Sequence, residues 1–408
     1  MNNSSMIALA AMQLLAIECM LAAAVDAHPA WSHARQLVLK NERTHDMMFH
    51  NKHFHNHLDY HVVSLAGLGA NISVLDACYK DESLDLDPAV PSQGRVTDAT
   101  FHKWLGQYYR AHNDSAFLDF ADFFSSKVAA SSADDVLDAY LPQFASSAAC
   151  LLLHPLIELG YAYEGEGDTR LLIAGLSWFA TGFSPDAVHS PSGRWNSTAI
   201  ADVLDALRSD PDLPPVGTTV PFSDVPERFG FVVHKYDLDR PAFGSSALAD
   251  SVSALSDIVL RLFGPATSYD SFDLLHLVTG SRALRKLLPH VRDSSVARDF
   301  LSYMQRGVAY MYVAMGRPGP IPRGDVIGNA GNSLPAWNTI LAEAMQVERR
   351  MHDAHFIKMI WLCFDEARQA GESSAEGRLY HLVASTITAN FTAGRGWNHG
   401  VLVSTLYV

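Results

Sequence analysis

Helical periodicity is the feature that most constrains how this chain can fold. Between Ala247 and Phe263, apolar and polar residues alternate with a period of about 3.6 residues, and the Ser, Asp and Ala content suits a helix better than a strand. Similar patterns and capping residues predict further helices along most of the chain. These are Asp134–Ala148, Ala149–Glu164, Leu171–Phe179, Thr198–Arg208, Phe272–Leu288, Val296–Val313, Pro335–Val347, Ala354–Ala370 and Ala375–Phe391.

Two long breaks rich in proline and glycine, Ser209–Gly230 and Gly316–Leu334, interrupt this pattern. We interpret them as surface excursions from one helical body, because candidate metal ligands lie on both sides of each break. Strand-like patterns are short and few, at Phe229–His234 and Val401–Val408. The sequence therefore predicts an all-α protein, in which residues 28–408 form a single large multi-helix domain with a buried metal site between helices.

The N-terminal segment, residues 1–27, is apolar and rich in alanine. Glu18 interrupts its apolar run, which lacks a basic start and is too short to form a transmembrane helix of about 20 residues. We expect a helix of the mature protein here, which favours a cytoplasmic location. A cleaved secretory signal is the alternative.

Charge and motifs exclude several classes of function. The formal net charge of −14 disfavours nucleic-acid partners and strong membrane association, since both favour basic patches. The four cysteines are scattered without a CxxC motif, so they indicate neither a zinc ribbon nor a disulfide scaffold. The chain also lacks the glycine-rich nucleotide loops, HExxH and GxSxG.

Histidine is the residue type that points to chemistry. The chain has 19 histidines, and some of them lie inside apolar stretches, where an imidazole is costly to bury unless its nitrogens are paired. Neutral imidazole is the commonest metal ligand in proteins, and helices can bring such rings to one point in a bundle core. The candidate ligands are His57, His61, His154, His276 and His355.

The local sequence around each histidine refines this hypothesis. His57 and His61 have i, i+4 spacing, which places two residues on one face of a helix. Pro155 predicts that a helix begins at His154. Thr279 follows His276 by three residues, so its hydroxyl could orient a ligand or bound oxygen. The alternative for His154 and His276 is a core histidine that is bonded to a backbone carbonyl.

Lys358 follows His355 by three residues and precedes a strongly apolar turn. Burial would lower the pKa of its amine and make it nucleophilic enough to take up carbon dioxide as a carbamate, an anionic oxygen ligand. An ordinary lysine that reaches solvent along its stem is the alternative. Aromatic residues could line a pocket for an aromatic molecule, or they could simply belong to the core. They are Trp178, Phe272, Phe356 and Trp361.

Taken together, these segments resemble the questin oxidase-like family, and their order spans roughly residues 40 to 390. The resemblance rests on blocks of sequence that occur together. They are Asn56–His61 followed by Leu68–Ala70, His154–Ile157 followed by Gly160–Glu164, Leu171–Trp178, Leu274–Thr279 with Ala283–Arg285, and Asp353–Lys358.

This resemblance implies an α-helical oxidoreductase similar to fungal enzymes that open polyketide anthraquinone rings, described as Baeyer–Villiger-type oxidases, some with NADPH dependence. One branch resembles a non-haem iron dioxygenase whose metal is held by four histidines and a carboxylated lysine. It implies iron(II), dioxygen, a small aromatic substrate and possible use of NADPH. The metal ligands would come from the five histidines and Lys358, which is one histidine more than this scheme needs. The catalytic residues would be His276, Thr279, His355 and Lys358.

Two other functions are compatible with the same residues. A metallohydrolase is one, because carboxylated lysine and histidine also bind zinc or nickel. The other is a non-enzymatic helical scaffold, in which the histidines are merely core groups with satisfied hydrogen bonds. The oligomeric state is not predicted.

Overall fold

The computed structural model describes residues 29–49, 54–106, 115–164, 168–184, 200–222, 224–236, 245–263, 271–320 and 334–397. Within these ranges the chain forms sixteen α-helices and one pair of two-residue strands, which confirms the all-α prediction. None of the helices in the described ranges is both long enough and apolar enough to cross a membrane. The N-terminal segment 1–27 and the strand predicted at Val401–Val408 lie outside the described residues.

The elements follow one another in this order: α1 (Pro29–Thr44), β1 (Met48–Phe49), β2 (Phe54–His55), α2 (Leu58–Gly67), α3 (Ile72–Glu82), α4 (Phe101–Trp104), α5 (Phe117–Ala130), α6 (Ala133–Phe144), α7 (His154–Tyr161), α8 (Thr169–Thr181), α9 (Ile200–Ser209), α10 (Asp224–Val233), α11 (Ser245–Phe263), α12 (Ser271–Leu287), α13 (Ser294–Ala314), α14 (Trp337–Met351), α15 (Ala354–Ala370) and α16 (Ala375–Thr392). Several begin with a side chain that accepts a hydrogen bond from a backbone N–H of the first turn, the usual N-cap. These capping residues are Asn71, Ser132, Asp168, Asp293, Asp353 and Ser374.

The strand predicted at Phe229–His234 is wrong, because most of this segment belongs to α10, inside a region that we had interpreted as a surface break. Val225, Val232 and Val233 are buried, and their spacing of seven and eight residues places them on one face of a helix. A short apolar run does not distinguish a strand from a buried helix by itself. The β1–β2 pair, with Met48 opposite His55, was not predicted.

Helix α7 lies at the centre of the protein, and glycine allows it to approach its neighbours closely. A Cβ atom on Gly160 would lie 2.4 Å from the Cβ of Ala283 on α12, and one on Gly175 would lie 2.7 Å from the Cα of Leu159. Every residue of α7 is buried. The helix is therefore held tightly between α8 and α12.

A buried charge network joins the end of α7 to α12 and α15. Arg282 on α12 donates hydrogen bonds to Glu164 at 2.7 Å, to Asp365 at 2.7 Å and to Glu366 at 2.9 Å. Its side chain is only 7% exposed. The network fixes three helical segments relative to one another, and each of these segments also carries one of the candidate histidine ligands.

We expect Arg282→Met to lower the free energy of unfolding by about 3–5 kcal/mol, because the variant removes the buried cation shared by Glu164 and Glu366. Arg285 still pairs with Glu366, but Glu164 keeps only the more distant Lys286. The measurement is urea unfolding near neutral pH. Arg292→Met is the matched control, since Arg292 also lies near three carboxylates (Asp134, Asp135 and Asp138) but is largely exposed. Similar losses in the two variants would contradict a structural role for the buried network.

Candidate metal centre

Four of the five candidate histidines converge on one point in the core. His57, His154, His276 and His355 each place one ring nitrogen within 4.8 Å of the others. His57 precedes α2, His154 begins α7, His276 lies in the second turn of α12, and His355 lies in the first turn of α15. The core of the bundle therefore brings together residues that are up to about 300 positions apart in the sequence.

Backbone carbonyls orient two of these rings. The Nδ1 atom of His154 hydrogen-bonds to the carbonyl of Leu151 at 2.5 Å, and that of His276 to the carbonyl of Phe272 at 3.1 Å. A carbonyl oxygen only accepts, so each Nδ1 carries the proton. Each Nε2 of these neutral rings then carries a lone pair, as in histidines that bind metals. In the structure the Nε2 of His154 is within hydrogen-bond distance of the Nε2 of His57, whereas that of His276 has no partner among the described residues.

The nitrogens at the centre fit a metal ion. The Nε2 atoms of His276 and His355 are buried and form no hydrogen bond with the described part of the chain. The Nε2 atoms of His57 and His154 lie 2.9 Å apart. Two imidazole nitrogens bound at right angles to one ion, at about 2.1 Å each, would be about 3.0 Å apart. The donor set and its spacing therefore suit a divalent transition metal.

The backbone before His154 is strained. Leu151, Leu152 and Leu153 have φ values of 48°, 51° and 68°, in the left-handed region that residues with side chains rarely adopt. Each such residue costs on the order of 1–3 kcal/mol. This turn replaces the beginning of the helix predicted at Ala149–Glu164, and it allows the carbonyl of Leu151 to reach the His154 ring. The predicted start of a helix at His154 is confirmed, with Pro155 in the second position.

Burial keeps these rings uncharged. Desolvation lowers the pKa of all four imidazoles well below the ordinary value, and the nearby Lys358 amine adds to this effect. A protonated imidazole cannot bind a metal with that nitrogen. The rings are therefore in the neutral form that metal binding requires.

Lys358 is completely buried, as its apolar surroundings predict, and does not reach solvent. Its Nζ atom has no hydrogen-bond partner in the described ranges and lies 5.5 Å from the centre of the Tyr60 ring. Desolvation lowers its pKa to about 7, with Asp353 opposing the shift. A large fraction of the amine is thus uncharged near neutral pH. Carboxylation of this amine stays a prediction.

His61 belongs to a different group and faces Glu82 and Glu348. The backbone N–H of His61 donates to the carbonyl of His57 as in a helix, but His57 lies just before α2, with a ψ of 1°, and the two rings point to different groups. The hydroxyl of Thr279 also differs from the expectation that it orients a ligand. It donates to the carbonyl of Leu275 at 3.1 Å, within its own helix.

His55 is a neighbour of the site that the sequence did not indicate. Strand β2 places its buried ring on that of His154, with ring centres 3.8 Å apart and an interplanar angle of 16°. Burial lowers its pKa to about 3, so this ring is also neutral. The only signal for it was its position two residues before His57.

Two of the four aromatic candidates lie beside the histidines. The Phe272 ring centre is 4.6 Å from that of His355, and the Trp178 ring centre is 6.3 Å from that of His154. Phe356 instead stacks on Phe391, and Trp361 packs against Trp31. The apolar wall of the site therefore includes Phe272 and Trp178.

Comparison with known proteins agrees with the resemblance seen in the sequence. The family model described as Questin oxidase-like matches residues 54–362, a range that includes the four converging histidines and Lys358. The chain belongs to the questin oxidase-like family. It is also similar to Oxidoreductase AflY of Aspergillus parasiticus, with 32% identity over 149 residues, which cover 32% of this chain and 28% of that protein. The match thus spans under a third of the relative's length.

We expect Lys358→Met to raise the free energy of unfolding near neutral pH when metal and carbon dioxide are excluded. Folded Lys358 loses its proton above about pH 7, whereas unfolded lysine keeps it to about pH 10.4, so the wild-type protein gains stability as pH rises through this window. The gain in the variant is a few kcal/mol, at most about 5, and shrinks towards about pH 10.

Urea unfolding of both proteins at several pH values measures this difference. Lys286→Met is the control, because Lys286 lies one helix away, is partly exposed and is 3.5 Å from Asp365. A difference between Lys358→Met and wild type that does not change with pH would show that Lys358 is charged and paired in the folded protein.

Proposed function

We propose that this protein is an oxidoreductase that uses iron(II) and dioxygen to oxidise an aromatic polyketide or quinone-type substrate and to open one of its rings. His57, His154, His276 and His355 would hold the iron, with a carboxylated Lys358 as the oxygen ligand. The name of the relative, Oxidoreductase AflY, supports the reaction class. Membership of the questin oxidase-like family supports the substrate class.

One observation carries the proposal: buried ring nitrogens without partners. The Nε2 atoms of His276 and His355 point into the core without a hydrogen bond from any described residue. An unpaired buried polar group costs about 1–3 kcal/mol, so two of them at one point are a liability in a purely structural core. This argues against a scaffold in which the histidines are satisfied by the protein. A bound metal would use the same lone pairs.

Lys358 supports a site in which an oxygen ligand joins the four histidines, and such a site favours iron. A neutral amine can attack carbon dioxide, forming an N–C bond and releasing one proton to give a carbamate. The products are a lysine carbamate of charge −1 and one proton, in place of a neutral amine and carbon dioxide. The carbamate would carry a negative charge next to the metal. The unmodified amine, when protonated, would instead carry a positive charge and repel the metal. The hard oxygen of the carbamate would favour iron over copper(I).

The protein's own contribution is a dry and rigid site. His154 and His276 are oriented by backbone carbonyls, and Phe272 and Trp178 cover the rings with apolar surface. Such surroundings exclude water and suit a flat aromatic ring. Bound iron would supply the redox chemistry that allows dioxygen to react with an electron-rich ring. Possible use of NADPH stays a prediction.

The experiment combines metal analysis with oxygen uptake. We expect the purified protein to contain iron in a one-to-one ratio and to consume oxygen with an anthraquinone or its hydroquinone. His276→Ala should lose most of the iron and reduce turnover by more than the roughly 10–100-fold that loss of a residue orienting a ligand costs. His381→Ala is the control, because this histidine stacks on Trp337 and lies outside the four-histidine group.

Lysine variants test the carbamate. Wild-type protein in labelled bicarbonate should show a carbamate carbon signal in its NMR spectrum, and Lys358→Met should lack it. Lys358→Glu supplies a carboxylate directly, so its iron content should exceed that of Lys358→Met and should not depend on bicarbonate. Iron content that is unchanged in both His276→Ala and Lys358→Met would refute the proposed site.

Labelled dioxygen distinguishes the reaction types. A dioxygenase places both oxygen atoms in the product without NADPH, whereas a Baeyer–Villiger-type reaction inserts one atom and consumes one NADPH. Zinc in place of iron, together with ester or amide hydrolysis, would instead favour the metallohydrolase.

A further inference from the structure

A second group of potential metal ligands lies outside the four-histidine site. One ring nitrogen of His61, the thiol sulfur of Cys78 and one carboxylate oxygen of Glu348 lie within 4.8 Å of one another, and all three residues are buried. They come from α2, α3 and α14, respectively. A thiol, an imidazole and a carboxylate in one buried place form a donor set that suits zinc.

The two nitrogens of His61 have different surroundings. Its Nδ1 atom makes a short contact with Glu82, one turn after Cys78 on α3. Its Nε2 atom lies 3.1 Å from a carboxylate oxygen of Glu348 but does not have the geometry of a hydrogen bond. Histidines that bind metals typically donate one N–H to a carboxylate and present the other nitrogen to the ion. The Nδ1 contact of His61 matches the first half of this arrangement, and its Nε2 is the nitrogen left for an ion.

His352, one turn after Glu348, repeats this pattern. Its Nδ1 atom lies 3.3 Å from Glu348 and is buried without a hydrogen-bond partner among the described residues. Its Nε2 atom lies 3.3 Å from Asp81. The backbone of His352 is left-handed, with a φ of 46°, at the C-terminal end of α14. This unusual conformation holds the ring next to Glu348.

Glu348 is the residue that most needs a partner. Its side chain is 1% exposed, and neither carboxylate oxygen accepts a hydrogen bond from the part of the chain that the structure describes. A buried carboxylate whose contacts to two imidazole rings lack hydrogen-bond geometry is a costly arrangement in a protein core. The contact with His61 relieves part of this cost, but its geometry is poor.

We propose that His61, Cys78 and Glu348 bind a structural zinc ion, with Glu82 orienting the His61 ring, and that His352, which lies outside this converging group but beside Glu348, turns towards the ion as the fourth ligand. Four protein ligands of these types complete the tetrahedral shell of a structural zinc site. The alternative is a protonated His61 held between Glu82 and Glu348. That alternative also pairs the thiol of Cys78 with His61, but it leaves the buried Nδ1 atom of His352 without a hydrogen-bond partner among the described residues.

The ion would add a direct link between helices that share one neighbour. Helix α14 packs on α15 and α16, and α2 packs on α1, α15 and α3. Binding by α2, α3 and α14 together would connect α14 directly to α2 and α3. The group shares no residue with the four-histidine group.

Cobalt substitution is the test, because a thiolate bound to cobalt(II) gives a charge-transfer absorption in the near ultraviolet that imidazole and carboxylate ligands do not give. The full chain is expressed in cobalt-supplemented medium, and its spectrum and metal content are measured. We expect wild-type protein to show the band and Cys78→Ser to lose both the band and one ion per chain. Protein expressed in iron- and zinc-replete medium should contain zinc as well as iron, and Cys78→Ser should lose only the zinc.

Cys363→Ser is the matched control, since Cys363 is also fully buried but lies on α15 outside all groups of potential ligands. It should keep the band. Glu82→Gln keeps all four ligands and tests the site even if Cys78→Ser does not fold. Its zinc affinity, measured against a competing chelator, should fall by roughly 10–100-fold. A wild-type protein without the thiolate band, or a Cys78→Ser variant with unchanged metal content, would overturn the proposal.

Discussion

The structure depends on how a helical core accommodates imidazole rings whose nitrogens the protein itself does not satisfy. His276 and His355 each bury an Nε2 atom without a hydrogen bond within the described residues. The surrounding packing is tight enough to keep them there. Gly160 allows α7 and α12 to approach each other, and Arg282 ties both to α15. The surrounding packing and ion pairs thus stabilise the fold, while the imidazole rings of the site stay neutral and His276 and His355 keep lone pairs available for a ligand.

Helix α2 shows why one short segment can serve several buried groups. All its residues except the last are buried, so successive side chains, about 100° apart, point to different neighbours. Asp59 joins an acidic group with Glu42 and Glu158, Tyr60 lies beside the Lys358 amine, and His61 faces Cys78 and Glu348. An amphipathic helix would offer only one such face. The apolar residues of α2 therefore do not mark a single functional side.

Apolar flanks and helix starts were predictable from the sequence, but the positions that depend on exact backbone geometry were not. His154, His276 and Lys358 are surrounded by apolar residues in the sequence, and all three are buried. The separation of His57 from His61 depends on whether α2 begins at one residue or the next, and periodicity does not resolve such boundaries. The left-handed turn before His154 has no sequence signal, because leucine disfavours that conformation.

The position of His57 links the two groups of ligands. His57 precedes α2, so regular helix geometry does not fix its ring. It is held instead by the orientation of α2 as a whole and by its contacts with His154 and His355. His61 lies one turn further along, and an ion bound there would fix the rotation of α2 about its own axis. A structural ion at His61 would therefore help to keep His57 aligned with the other three rings, although it takes no part in the chemistry.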